Sequence, residues 1–331
     1  MEKPKVFVTR ILPQIALDKI SEVCDMEVWQ DELPPPREVI LEKVKTIDGL
    51  LCLLTDKVDS EVMDTGANLK VISNYAVGFD NIDIPAATER GIPVGNTPGV
   101  LTETTADLAF TLLMASARRI VAADKYTREG KWKTWGPMLF LGQDIHHATL
   151  GIVGLGRIGY EMAKRGKGFD MNLIYHDAVR NEQAEAELGL KYVDMDTLLK
   201  ESDFVSLHVP LMESTRHLIS DREFDMMKPT AILINSARGP VVDQKALYEA
   251  LKARKIAHAG LDVFDVEPIS GDDPLLTLDN ITIVPHIASA SVATRTKMAM
   301  MAADNLIAGV TGERLPTQVN KEVSPKTLVT A

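Results

Sequence analysis

Cysteine is scarce in this chain, which has only Cys24 and Cys52 among its 331 residues. Two cysteines so far apart do not build a disulfide framework, and neither stands near histidine or acidic residues at the spacing of a zinc site. We therefore expect both to be buried thiols in a reducing compartment, which places the protein in the cytoplasm. The histidines show no metal-ligand spacing either, so the sequence predicts no metal site.

Long apolar runs and an excess of positive charge are also missing. No unbroken apolar stretch approaches the roughly 20 residues that span a bilayer. The opening MEKPKVFVTR leads directly into a predicted strand rather than a signal peptide. The formal net charge is −11, which argues against nucleic acid or an anionic membrane as a partner. Any anionic substrate must therefore be bound by local cations.

Short apolar runs do recur along the chain, and helical patterns separate them. KVFVT (5–9), GLLCLL (49–54) and LKVISN (69–74) are typical of buried strands. The alternation of strands and helices resumes at residue 149, which predicts α/β domains built on parallel sheets. The turn-rich NTPG at 96–99 ends a first domain of flavodoxin-like size.

Residues 149–177 combine a strand, a glycine turn, a helix and a second strand. Gly154, Gly156 and Gly159 form the pattern G-x-G-x-x-G. In this pattern the first glycine permits the turn, the second admits a pyrophosphate and the third lets the helix approach the strand. The amino end of the helix offers free N–H groups to the phosphates. With an acid after the second strand, the stretch predicts dinucleotide binding.

That acid is Asp177, and it bears on the choice of cofactor. A carboxylate at this position can accept hydrogen bonds from both ribose hydroxyls and would repel a 2′-phosphate. Asp177 therefore favours NAD over NADP. Arg180 follows just beyond and could tolerate some NADP, so the predicted preference is not absolute.

Three polar side chains follow three successive predicted strands. Arg238 comes after AILIN (231–235), Glu267 after AGLD (259–262) and His286 after ITIV (281–284). A guanidinium is the natural bidentate partner of a small carboxylate. Histidine, which titrates near neutral pH, suits a proton donor to a developing alkoxide, and a neighbouring carboxylate orients its ring. This set is typical of a 2-hydroxy acid dehydrogenase.

The chain resembles the D-isomer-specific 2-hydroxyacid dehydrogenase family over nearly its whole length, and most closely the glyoxylate/hydroxypyruvate reductase branch. The motifs that carry the resemblance are NYAVGFDNID (74–83), NTPGVLTETTAD (96–107), GIVGLGRIG (151–159), INSARGPVVD (234–243), AGLDVFDVEP (259–268) and PHIASAS (285–291).

The resemblance implies a fold and a reaction. A Rossmann-type NAD-binding domain at 99–286 is expected to be inserted in a flavodoxin-like substrate domain formed by 1–98 and 287–331. A homodimer formed largely through the NAD-binding domain is implied as well. The implied reaction is the NADH-dependent reduction of a small 2-oxo acid, either glyoxylate to glycolate or hydroxypyruvate to D-glycerate.

The resemblance also implies the roles of individual residues. The family's catalytic arginine, glutamate and histidine fall on Arg238, Glu267 and His286, with His286 as the proton donor. The N–H groups of Val77 and Gly78, together with Arg238, are implied to bind the substrate carboxylate. Contacts to NAD are implied at Thr105, Gly154, Gly156, Arg157, Ile158, Gly159, Asp177, Val209, Pro210, Ser236, Ala237, Asp262, His286 and Ala288.

Two alternatives stay open at this point. One is a phosphite or D-lactate-type dehydrogenase of the same family, although the similar phosphite-oxidising relatives carry a lysine where this chain has Val77. The other is a non-enzymatic NAD(H) sensor that resembles transcriptional corepressors. Substrate screening distinguishes the dehydrogenases from one another, and NADH binding without turnover would indicate the sensor.

Overall fold

The computed structural model describes residues 2–324. The chain separates into two compact units, one made of Met1–Leu101 with Ala290–Ala331 and the other of Thr102–Ser289. The junctions fall a few residues later than the predicted ones at 98 and 286. Ile287 and Ala288 stay with the second unit because their N–H groups donate to the carboxylate of Asp262.

The first unit begins with alternating strands and helices. These are β1 (Lys5–Val8), α1 (Gln14–Val23), β2 (Asp25–Val28), α2 (Arg37–Val44), β3 (Gly49–Cys52), α3 (Ser60–Thr65), β4 (Val71–Asn74), α4 (Ile84–Glu89) and β5 (Val94–Gly95). The strands form one parallel sheet in the order β2-β1-β3-β4-β5, which is the flavodoxin-like order. Every residue of β3 and β4 is buried, as expected for central strands of a parallel sheet.

The second unit opens with two helices and continues as a strand–helix alternation. Its elements are α5 (Thr102–Ala117), α6 (Ile120–Arg128), β6 (Thr149–Val153), α7 (Arg157–Gly168), β7 (Asn172–His176), α8 (Glu182–Leu188), β8 (Lys191–Tyr192), α9 (Met195–Glu201), β9 (Phe204–Leu207), α10 (Asp221–Met226), β10 (Ile232–Asn235), α11 (Gln244–Lys252), β11 (His258–Leu261) and β12 (Ile281–Ile283). Short 3₁₀ turns at Gly239–Val241 and Pro274–Thr277 interrupt the loops.

The sheet of the second unit has seven parallel strands in the order β12-β11-β10-β9-β6-β7-β8. This is the Rossmann order with one further strand at the β12 edge. The strand order reverses between β6 and β9, and ligands of such sheets bind at the carboxyl ends of the strands near that point. All the strand-end residues singled out above lie at this edge of the sheet.

The last helix, α12 (Val292–Thr311), completes the first unit. It packs on α1, β3 and β4, and the hydroxyl of Ser73 donates to the carbonyl of Ala302 over 2.8 Å. Gly309 lies so close to Val71 that a Cβ there would overlap its side chain. The helix can reach the sheet only because this position has no side chain.

Candidate active site

The three glycines of the G-x-G-x-x-G turn have different surroundings. Gly154 has a φ of +90°, and a Cβ on it would lie 2.9 Å from the carbonyl of His208. A Cβ on Gly159 would overlap the carbonyl oxygen of Gly154, whereas one on Gly156 would meet no atom within 4 Å. Two glycines are therefore required by the fold itself, and the third leaves open space beside the backbone. That space fits a pyrophosphate.

Helix α7 begins directly at this space. Its N-cap is Gly156, which has no side chain to satisfy the N–H groups of the first turn. A helix start of this kind carries unpaired donors and the positive end of the helix dipole. Arg157, the first residue of the helix, is exposed and adds a positive charge. The residues present thus fit an anionic dinucleotide.

Asp177 lies beside the same turn. One of its carboxylate oxygens accepts the N–H of Leu155 over 2.6 Å and the other accepts the N–H of Val179 over 3.2 Å. The sheet therefore brings the predicted ribose-binding acid to the glycine loop, as the strand–turn–helix–strand pattern requires. The half-buried carboxylate keeps lone pairs for further donors.

Arg180, by contrast, is engaged elsewhere. Its Nε and Nη2 donate to the two oxygens of Glu185 over 2.8 and 2.7 Å. The same glutamate accepts the hydroxyl of Tyr175 over 2.8 Å, and hydrogen bonds from Arg180 and then Tyr175 lower the pKa of Glu185 to about 2. The guanidinium is held within its own loop and helix by this pair.

The other residues implied to contact NAD are spread over the carboxyl edge of the same unit. Thr105 is buried in α5, Val209 and Pro210 follow β9, and Ser236 and Ala237 follow β10. The hydroxyl of Ser236 is buried and has no hydrogen-bond partner in the part of the chain that is described. An orphaned buried hydroxyl at this edge is consistent with a bound polar ligand.

His208, at the end of β9, is a neutral side chain. Burial lowers its pKa to about 4, and its Nε2 pairs with the hydroxyl of Ser206 at 2.8 Å. A histidine held neutral by burial cannot serve as a proton donor at neutral pH. It contributes packing beside Gly154.

Arg238, Glu267 and His286 come together at the ends of β10, β11 and β12. The Nδ1 of His286 lies 2.6 Å from Oε2 of Glu267, and Oε1 of Glu267 accepts the N–H of Phe264 over 2.9 Å. Burial alone would raise the pKa of Glu267, but the hydrogen bond from His286 and the charges of His286 and Arg238 leave that pKa lowered. The carboxylate therefore stays ionised and orients the imidazole.

The backbone of His286 is itself unusual, with a φ of +53°. A left-handed conformation costs a non-glycine residue of order 1 kcal/mol and persists only where its surroundings impose it. Here the next two N–H groups, those of Ile287 and Ala288, donate to Asp262 over 2.6 and 2.9 Å. Burial raises the pKa of Asp262 to about 6. Asp262 thus holds the turn that presents the imidazole.

Asn235 is a site residue that the sequence analysis did not find. It is the buried last residue of β10, and its side chain accepts the N–H of Ala237 over 3.0 Å and donates to the carbonyl of Arg238 over 2.9 Å. Gly239 then packs so tightly that a Cβ would overlap the backbone of Phe264. These contacts bring the Arg238 turn against the loop that carries Glu267. The only feature of the sequence that could have indicated this role is the position of Asn235 at the end of a predicted strand.

Val77 and Gly78 lie in the first unit, in the loop after β4. Within the described residues, their N–H groups donate to no protein acceptor. Two adjacent free N–H groups can bind a carboxylate. Among the described residues, no cluster of His, Cys, Asp and Glu side chains could hold a metal ion.

Comparison with known proteins identifies the family. A family model described as D-isomer specific 2-hydroxyacid dehydrogenase, NAD binding domain, matches residues 110–288. A glyoxylate reductase from Korarchaeum cryptofilum is 58% identical over 322 residues, which cover 97% of each chain.

Two solved structures show the same fold. A Thermus thermophilus protein is 45% identical with a TM-score of 0.90, over 95% of this chain and 99% of that one. An NADPH-dependent glyoxylate/hydroxypyruvate reductase from Sinorhizobium meliloti, solved with NADP and malonate, is 30% identical with a TM-score of 0.86, over 99% of this chain and 100% of that one. The chain therefore belongs to the D-isomer specific 2-hydroxyacid dehydrogenase family and is an NAD-dependent oxidoreductase.

Proposed function

We propose that this enzyme reduces small 2-oxo acids with NADH, converting glyoxylate to glycolate and hydroxypyruvate to D-glycerate. The observation that carries the proposal is the short His286–Glu267 contact of 2.6 Å next to Arg238. The names of the relatives support the choice of substrate, since a glyoxylate reductase is 58% identical to this chain. The Sinorhizobium meliloti structure supports hydroxypyruvate as the second substrate, because that protein's name includes it.

His286 acts as the proton donor in this proposal. NADH supplies the hydride to the keto carbon, and the oxygen that gains negative charge then needs a proton. With Nδ1 engaged by Glu267, the Nε2 of His286 is the ring nitrogen left to face that oxygen. Glu267 keeps the imidazole ring in this orientation, and its carboxylate compensates the positive charge of the ring before the proton is transferred.

Arg238 and the two amides of the first unit bind the substrate carboxylate in this proposal. The hydrogen bonds of Asn235 fix the backbone of the turn from which the Arg238 side chain extends. A guanidinium can bind a carboxylate through two parallel hydrogen bonds. The N–H groups of Val77 and Gly78 are neutral donors that suit a carboxylate as well. A chain with a net charge of −11 needs such local donors.

NADH is the proposed cofactor in preference to NADPH. Asp177 would place a carboxylate against a 2′-phosphate, and Arg180 is already paired with Glu185 over 2.8 and 2.7 Å. The Sinorhizobium meliloti enzyme is an NADPH-dependent relative, so membership of the family does not by itself fix the cofactor. The residues at the end of β7 favour NADH here.

Turnover of the purified protein tests the proposal directly. The loss of NADH absorbance is followed with glyoxylate, hydroxypyruvate, pyruvate and phenylpyruvate in parallel, and phosphite is supplied with NAD in the reverse direction. We expect turnover to be fastest with glyoxylate and hydroxypyruvate. Faster turnover with phosphite, pyruvate or phenylpyruvate would contradict the substrate assignment, and NADH binding without any turnover would contradict the reaction.

We also propose a homodimer formed through the second unit. No residue of α6 is buried, and the segment after it exposes Trp135 and Met138 by 78% and 77%. Apolar side chains exposed to this degree are typical of a surface that a partner covers. Sedimentation of the native protein and of Trp135→Asp tests this, with a dimer expected for the first and dissociation for the second.

The cytoplasm remains the proposed location. Cys24 and Cys52 are both free and buried, and desolvation raises the pKa of the Cys24 thiol to about 11. Inert thiols of this kind are common in proteins of a reducing compartment. Among the described residues, every helix is too short or too polar to span a bilayer.

A further inference from the structure

The loop that carries Val77 and Gly78 is held through three consecutive carbonyl groups. The N–H of Thr97 donates to the carbonyl of Ala76 over 2.9 Å. The side-chain amide of Asn96 donates to the carbonyl of Val77 over 2.8 Å, and that of Asn74 donates to the carbonyl of Gly78 over 2.8 Å. With the carbonyls bound on one side, the N–H groups of the same peptides are directed away from these donors.

Asn96 is in turn anchored by the carboxyl-terminal part of the unit. Its backbone carbonyl accepts the hydroxyl of Thr317 over 2.6 Å and the amide of Asn305 over 3.1 Å. Its N–H donates to the carbonyl of Thr317 over 3.2 Å. Asn305 is fully buried in α12, and Gly95 packs against it so closely that a Cβ would lie 2.6 Å from its carboxamide.

We infer that Asn96 is a positioning residue for substrate binding, acting through the carbonyl of Val77. Its side-chain amide fixes the Val77–Gly78 peptide, so that the N–H of Gly78 is ready for a carboxylate before it arrives. The N–H of Thr97 fixes the preceding peptide in the same way, and with it the N–H of Val77. The inference rests on the proposed function, in which these amides bind the substrate's carboxylate. It assigns to α12 and Thr317 the task of holding Asn96 in place.

Substitution of Asn96 by alanine tests this inference. Asn96→Ala removes the donor to Val77, and we expect KM for glyoxylate to rise about tenfold while kcat changes less than about twofold, as for one lost hydrogen bond that orders a binding loop. KM for hydroxypyruvate and pyruvate is expected to rise by the same factor, because the carboxylate is common to all of them. The Kd of NADH, measured by fluorescence, is expected to stay unchanged.

Asn320→Ala is the matched control. Asn320 is equally buried in the same unit, and its side chain likewise bonds backbone groups, the N–H of Val94 and the carbonyl of Ile92. It makes none of the contacts to the 75–78 loop described above. We expect this variant to lose thermal stability with an unchanged KM. Should Asn96→Ala fail to fold, Asn96→Leu keeps a similar shape without the donor and without a charge, and is expected to show the same rise in KM.

The possible outcomes separate this inference from the proposed function. An unchanged KM in a folded Asn96 variant, with active wild-type enzyme, overturns the inference alone. A rise in KM of the same size in Asn320→Ala also overturns it, because the effect is then one of general stability. A fall in kcat at constant KM overturns it as well, because a loop that only positions the carboxylate donors changes KM. Absence of turnover in the wild type contradicts the proposed function instead.

Discussion

The two units share one architecture and differ in the chemistry at their strand ends. Both are parallel sheets, and in both a buried central strand ends in asparagine, Asn74 in β4 and Asn235 in β10. Each asparagine donates to a carbonyl in the loop that follows, that of Gly78 or of Arg238. The first loop then offers neutral N–H groups and the second offers a cation. The same kind of hydrogen bond thus holds both loops for which we propose anion binding.

The units also differ in what can titrate near neutral pH. All seven histidines of the sequence lie between residues 146 and 286, within the second unit. The groups for which we propose anion binding in the first unit are backbone N–H groups, whose charge does not depend on pH, while the second unit contains all the imidazoles, the side chains that titrate nearest neutral pH. Every histidine is thus confined to the second unit, and three substitutions test what the groups of that unit contribute.

The largest effect is expected from removal of the proposed proton donor in the second unit. His286→Ala should lower kcat at least about a hundredfold, which is the usual contribution of a general acid. The Kd of NADH should change little, because the glycine turn and Asp177 are untouched. Steady-state kinetics and fluorescence titration measure the two quantities, and near-normal turnover would remove His286 from this role.

A smaller effect is expected from acid on the stability of the second unit. Burial lowers the pKa of His258 from 6.5 to about 4, so the unfolded chain binds a proton more tightly than the folded unit. This contribution to the free energy of unfolding is present above pH 6.5 and is lost as the pH falls through 4. At pH 5 the loss amounts to roughly 2 kcal/mol.

Hydrogen exchange at pH 7 and pH 5 measures the acid response of each unit, and the difference between the native protein and His258→Gln isolates this loss. That difference is needed because burial also lowers the pKa of His208 to about 4 and raises the pKa of Asp262 to about 6 in the same unit. His258→Gln should reduce the acid sensitivity of the second unit, while His146→Gln, at an exposed histidine, should not. The first unit should behave differently, since burial raises the pKa of Asp56 and a raised carboxyl pKa favours the folded state at low pH. Equal acid sensitivity of both units would contradict the expectation that acid destabilises the second unit more than the first.

The smallest effect concerns cofactor choice. Asp177→Ala removes the carboxylate that opposes a 2′-phosphate, and we expect the ratio of NADH to NADPH affinity to fall about tenfold, the value of one charge–charge contact near the surface. Arg180→Ala is the control, because its guanidinium is already paired with Glu185. Direct titration with NADH and with NADPH measures this ratio of affinities. An unchanged ratio in Asp177→Ala would contradict the role of Asp177 in cofactor choice.

The strongly periodic elements were predictable from the sequence, whereas the short ones were not. Ala106, Ala109, Leu112 and Leu113 recur at helical spacing and predict a helix over 102–117, which is confirmed as α5. The strand–turn–helix predicted from residue 149 is confirmed as β6 and α7. The sequence also predicts a helix over 58–63, but α3 begins two residues later, at Ser60, because Asp59 caps it by accepting the N–H of Val62. Helix α8 and strand β8 escaped prediction, since they bury little and have almost no apolar pattern.

The types of functional group could be predicted from the sequence alone. They are the glycines at the turn where the backbone must approach other backbone or a phosphate, the acid after the second nucleotide-binding strand, and the arginine, glutamate and histidine that follow three successive strands. The local pattern of strands and turns is enough to predict that these groups lie near each other, because the carboxyl ends of parallel strands share one edge of the sheet. Only the tertiary structure decided how the groups are aimed. The left-handed turn at His286 held by Asp262, the Arg238 turn held by Asn235 and the loop bound by Asn96 all depend on hydrogen bonds between residues distant in the chain or on amides whose partners no periodicity reveals.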